Sequence, residues 1–222
     1  MCYSVESSLQ TTAISFLAIV YLLSSGIPHF QWVGIMLIGW CGMQFAELLL
    51  WMTNPRKKCT SWNKIITMTL IPLVLVLQPL GSLWGSLYAI PWKKSTEFRK
   101  KFIIFYSIFI ILAVCYDHFF KITKTCTIVT ENGHLHWNTS PNVKYDYTIY
   151  ILWSIMIIFP LLFFWNKSII MIILLFLTPL FGFIYGLYTD GRPSIWCYYT
   201  SYTSIVASVL LFLQQTNIYK IV

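Results

Sequence analysis

Long apolar runs separated by short charged or turn-forming clusters make up almost the whole chain. Between Glu6 and Arg56 the only charge is Glu47, and the cluster Ser24-Ser25-Gly26-Ile27-Pro28-His29 cuts that stretch in two. Ile65 to Trp92 is uncharged, as is Phe102 to Tyr116 ahead of Asp117-His118. Tyr147–Asn166, Ser168–Thr189 and Pro193–Tyr219 complete the series. A helix needs about 20 apolar residues to cross roughly 30 Å of hydrocarbon. The pattern therefore predicts an all-α bundle of seven transmembrane helices in a single domain over 1–222, with spans at about 9–27, 31–53, 65–90, 102–122, 147–165, 168–188 and 195–216. Barrel strands would alternate apolar and polar positions, whereas Ile169 to Leu177 is apolar throughout. The first run has no basic residue before it and no clean small-x-small site, so it reads as a retained span and not a cleaved signal. Pro72, Pro79, Pro160 and Pro179 read as kinks, which membrane helices tolerate.

Composition agrees with the pattern. Of 222 residues, 58% are hydrophobic and 10% charged, against about 25% charged in an ordinary soluble domain. So few charges cannot cover a water-facing surface, which excludes a secreted disulfide scaffold, a disordered regulator and a soluble enzyme with a membrane tail. The partner that this composition implies is the lipid bilayer. The net charge of +8 is split among short loops, with no basic helix or aromatic-interleaved patch, so no nucleic-acid partner is expected.

The loop charges bear on orientation. Lys93, Lys94, Arg99, Lys100 and Lys101 cluster against Glu97, which favours a cytoplasmic loop there, with the N-terminus outside or lumenal and Lys220 in the cytoplasm. Arg56, Lys57, Lys58 and Lys64 vote the other way. The acceptor Asn138-Thr139-Ser140 lies in the longest loop and has to face the lumen to be glycosylated. Asn166-Lys167-Ser168, on the opposite side, hugs the membrane too closely to be a good substrate. Cys2, Cys59, Cys126 and Cys197 lie near span ends on one side. They form two disulfides in any of three connectivities if that side is oxidising, or four free thiols if it is reducing. Cys41 and Cys115 fall within spans and read as packing residues.

Charges within spans are costly and mark candidate sites. Glu47 and Asp117 are the two, and Gln44, Glu47 and Trp51 share one helix face at i, i+3 and i+7. Gln78 precedes Pro79, whose missing N–H frees a carbonyl near Val74-Leu75. Such a set either binds an ion, water or lipid headgroup, or pins helices together by hydrogen bonds. Asp117, His118, His134, Trp137 and Trp196 fall on the same side of the bundle as Glu47, which predicts a pocket in its outer half. No lysine sits deep in a span for a retinal Schiff base, and no Thr-Val-Gly-Tyr-Gly filter exists. A Ser-His-Asp order, a Gly-x-Ser-x-Gly elbow and a Gly-rich phosphate loop are also missing. No catalytic residue, metal ligand or cofactor is assigned. Asp117, His118, His134 and His136 around zinc give the alternative, a membrane-embedded metal-dependent lipid hydrolase.

Several short motifs stand in a characteristic order: Met1-Cys2, Met43-Gln44-Phe45-Ala46-Glu47 with Trp51, Cys59, Asn63, Gln78-Pro79, Gly133-His134-Leu135-His136-Trp137 and Ile195-Trp196-Cys197. Together they resemble a family of uncharacterised seven-span membrane proteins found in giant DNA viruses and some of their protist-like hosts. Members usually resemble Gly-His-Leu-Arg-Trp in the loop, where this chain has His136. The resemblance implies a viral origin, a host-cell or virion membrane and a seven-helix fold, without an activity. The functional expectation is ion or small-molecule transport, a channel, or ligand binding through Gln44, Glu47 and Gln78. A non-catalytic viral membrane scaffold is the structural alternative.

Overall fold

The computed structural model describes residues 4–121 except 57, 126–137 except 132, 143–164, the helical positions 173, 176–177, 180–182 and 184–185, and 192–216. Residues 117–121, 143–150, 163 and 192–197 are described by backbone alone. The described chain is mostly helical: α1 (Val5–Ser24), α2 (Pro28–Met52), α3 (Ser61–Ile65), a π-helical turn (Ile66–Leu70), α4 (Ile71–Ala89), a 3-10 turn (Trp92–Lys94), α5 (Glu97–Lys121), α6 (Val143–Phe164) and α7 (Arg192–Gln215). Among the described residues three helices are long and apolar enough to cross a membrane: Val5–Ser24, Pro28–Met52 and the continuous Ser61–Ala89. Their outward faces carry large apolar side chains in mid-helix, such as Leu17 (68% exposed), and Phe105 on α5 is similar (69%). Soluble monomers rarely expose contiguous apolar surface of this kind. The predicted span at 168–188 lies mostly outside the described residues.

With Ser61–Ala89 taken as one continuous helix, the described helices begin a few residues upstream of the predicted spans. At α1, α3 and α5 the reason is capping: the hydroxyls of Ser4, Thr60 and Thr96 accept from the backbone N–H of Ser7, Asn63 and Arg99. Pro28 supplies the first residue of α2, where its missing N–H costs nothing. Polar first turns belong to the helices although they do not belong to the apolar runs.

Buried along most of its length, α2 is the central helix. It packs antiparallel to α1, where Gln31 Nε2 donates to the Leu23 carbonyl at 3.0 Å. On its other side α4 crosses it closely. Trp32 Nε1 donates to the Ser82 carbonyl at 2.7 Å, and Gly39 lies against the Leu77-Gln78 backbone. Gly81 and Gly85, four residues apart on α4, receive the backbone of Ile35 and Trp32. This small-x-x-x-small spacing lets helix backbones approach. The motif was legible in the sequence and absent from the prediction.

The π-turn lies directly ahead of Pro72, one of the prolines read as kinks. A proline ring clashes with the carbonyl four residues back, here that of Met68. The Ile71 N–H reaches back five residues to the Ile66 carbonyl, and this widened turn accommodates the ring. Between α5 and α6 the chain forms a short hairpin, with Ile128–Val129 antiparallel to Leu135–His136. Leu135 and Trp137 join the hydrophobic core.

Candidate functional site

Gln44 and Glu47, one turn apart on the central helix, are both fully buried. Facing them, α1 buries Ser8, Thr11 and Ser15 at helical spacing, and Thr11 Oγ1 donates to Gln44 Oε1 at 3.1 Å. The third helix of this group, α7, packs on both α1 and α2 and buries Thr200, Ser201, Thr203 and Ser204. Three mutually packed helices thus each contribute buried polar positions. Carboxamide, carboxyl and hydroxyl oxygens are the donor set that hard cations and small polar solutes prefer.

Gln78 turns elsewhere. Its Oε1 accepts from Trp153 Nε1 on α6 at 3.0 Å, and its buried Nε2 has no partner among the described residues. The described bonds therefore tie Gln44 to α1 and Gln78 to α6. The side chains of Asp117, His118, Trp196 and Cys197, together with Cys2, lie outside the described residues. Among the described residues no three His, Cys, Asp or Glu side chains are grouped to hold a metal ion.

Cys59 and Cys126 form a disulfide, which is one pairing among the three predicted connectivities. Beside it lies a buried polar junction that the sequence reading missed. Asn63 Nδ2 donates to Thr53 Oγ1 at 3.2 Å and to the Thr127 carbonyl at 3.0 Å. Its Oδ1 accepts from Thr127 N–H at 2.9 Å and from Thr67 Oγ1 at 3.2 Å. One carboxamide thereby joins the α2–α3 turn, the π-turn and the base of the hairpin. Of these residues only Asn63 had been noted, through the family resemblance; a carboxamide three residues after a capping threonine looks like ordinary helix sequence.

Arg99, predicted as a loop cation, is buried instead. Its guanidinium donates to the Ile90 and Ser86 carbonyls, both at 2.9 Å, and to the hydroxyls of Ser86 and Ser95. It also stacks 4.7 Å from the centre of the Phe164 ring. A cation at the end of α4 satisfies the Ile90 carbonyl, shares the Ser86 carbonyl with the Ile90 N–H, and complements the negative end of the helix.

His134 is buried in the hairpin, and burial pushes its pKa below the ordinary histidine value. The unfolded chain then binds the proton more readily than the folded one, so stability rises with pH. No penalty exists well above 6.5, and it builds up as pH falls through that ordinary value toward the lower folded value. Protection against hydrogen exchange of the Thr130 amide, which donates to the His134 carbonyl at 2.8 Å, should accordingly be weaker at pH 5 than at pH 7.5. A His134→Gln variant should flatten that difference; equal pH dependence in both proteins would refute the assignment.

At the tip of the hairpin a surface pocket of about 380 Å³ is walled by Pro55 and Arg56 on one side and Val129, Thr130, Glu131 and Gly133 on the other. The chain matches no family model, no curated protein and no solved structure.

Proposed function

We propose that this chain is an integral membrane protein of seven spans that binds a small cation or polar solute in the α1–α2–α7 core, in transport, permeation or ligand sensing and without catalysis. The observation that carries the reading is the complete burial of Glu47 beside Gln44 on the central helix. An acidic group at that depth is costly, and such residues typically mark ion or substrate pathways. The Cys59–Cys126 disulfide supports an outside or lumenal hairpin end, because disulfides persist in oxidising compartments. Asn138, just beyond the hairpin, supports the same orientation. The family resemblance supports a host-cell or virion membrane.

Reconstituted into vesicles, the protein should show cation or solute flux, or ion-dependent thermal stabilisation, and Glu47→Gln should weaken that response at least about tenfold, equivalent to 1.4 kcal/mol. An identical response in the variant would remove the assignment. A scaffold is the second reading, favoured because Thr11–Gln44 and Trp153–Gln78 each bridge two helices. It requires Gln44→Leu and Glu47→Gln to alter melting temperature alone, with no flux or ion response in the wild type.

A further inference from the structure

We propose that the pocket at the hairpin tip is a receptor for a small zwitterion, a ligand with a primary ammonium and an anionic oxygen group a few bonds apart. The proposal stands on residues separate from the Glu47 core. Arg56 and Glu131 line the same pocket, one from the α2–α3 turn and the other from the hairpin tip. They do not pair with each other: among the described residues the ion pair found is Lys100–Glu97. A cation and an anion that share a cavity without closing it leave space for a ligand of the reverse polarity. The ligand's anion faces Arg56 and its ammonium faces Glu131. A volume of about 380 Å³ lies at the lower end of the range for small-molecule sites, roughly 300–1,000 Å³.

Both walls are fixed before any ligand arrives. The Arg56 guanidinium lies 5.8 Å from the centre of the Trp51 ring, a cation–π arrangement that holds it at the rim. Its turn is set by Asn54, which adopts φ of 56°, and by the Asn63 bond to Thr53. The opposite wall is the hairpin tip. There Gly133 N–H donates to the Thr130 carbonyl at 2.9 Å and Thr130 N–H to the His134 carbonyl at 2.8 Å. Gly133 has φ of 80°, a conformation that favours glycine. Asn63 bonds Thr53 and Thr127 together, so one buried side chain sets the separation between the walls. Preorganisation of this kind reduces the ordering cost of binding.

Two sources share the ligand chemistry: the ethanolamine phosphate headgroup of a lipid and a free amino acid. The test uses the full chain, purified in detergent without phosphatidylethanolamine and titrated calorimetrically with O-phosphoethanolamine, L-serine, inorganic phosphate and ethanolamine. At least one zwitterion should bind saturably, with phosphate and ethanolamine each about tenfold weaker. Arg56→Gln and Glu131→Gln should each weaken the zwitterion about tenfold, as expected for loss of one charged hydrogen bond. Both side chains are exposed, and unchanged melting temperatures will confirm that the variants fold. Nanodiscs of phosphatidylglycerol with and without phosphatidylethanolamine then identify the source. Competition by the ethanolamine lipid assigns the headgroup, and undiminished binding of the free zwitterion assigns a solute. The proposal is overturned if neither zwitterion binds better than phosphate or ethanolamine alone, or if Glu131→Gln binds as the wild type does.

Discussion

Replacing Gly39 by alanine should cost about 3 kcal/mol or more, at the upper end of what overpacking a core costs. A Cβ there would collide with the Leu77 carbonyl and stand 2.8 Å from Gln78 Cα. These are backbone atoms, which cannot rotate away, so α2 and α4 must separate. Separation would also strain the neighbouring contacts of Gly81 and Gly85 and the bond from Trp32 to the Ser82 carbonyl. Gly42→Ala, three residues along the same helix, is the control. Its Cβ would meet the Val74 methyls at 3.7 Å, an ordinary contact, and alanine gains up to about 1 kcal/mol in helix propensity. Thermal melting in detergent should therefore lower the first variant and leave the second unchanged or raised. Equal melting of the two would mean that the helices do not cross this closely.

Loss of the Cys59–Cys126 disulfide should have the other large effect. The bridge closes a segment with a sequence separation of 67 residues, for which chain entropy gives a stabilisation of about 4 kcal/mol. That value is a ceiling, because helices held in a bilayer already restrict the separation of the two ends. Cys59→Ser with Cys126→Ser, or reduction of the wild type, should lower the melting temperature and speed proteolysis within the hairpin. The Asn63–Thr127 bonds remain in the reduced protein, so the hairpin should loosen rather than detach. A reduced protein that melts and resists protease like the oxidised one would show that the bridge contributes nothing to the fold.

Both effects fall at places the sequence marked unevenly. Cys59 and Cys126 stood among four candidates, and their pairing needed the hairpin to fold back onto α3. Gly81 and Gly85 were visible as a spacing, but the partner surface on α2 was not. Gln44 and Glu47 were legible because a carboxyl and a carboxamide one turn apart stand out in an apolar run. Their fellow Gln78 looked equivalent by type and depth, yet it bonds Trp153 on α6 while Gln44 bonds Thr11 on α1. Helix azimuth separates them, and a span boundary does not report azimuth. Arg99 resembled its lysine neighbours and became a buried cap because the end of α4 presents carbonyls at that point.

The sequence by itself determined the helical, membrane-compatible character of the chain. Hydrophobic run length and scarcity of charge are properties of each segment alone, and the cost of burying backbone polar groups in hydrocarbon leaves helices as the economical solution. It also determined where polar chemistry would be exceptional, since any carboxylate inside such a run has to be explained. Only the tertiary structure decided which exceptions meet. Packing on α2 brings Thr11 to Gln44, and the widened turn ahead of Pro72 holds Thr67 in the same junction as Asn63 and Thr127. Arg56 and Glu131 line one pocket because Asn63 ties the α2–α3 turn to the base of the hairpin. Those meetings join residues tens of positions apart in the chain, and no local pattern encodes the direction in which each helix turns its polar face.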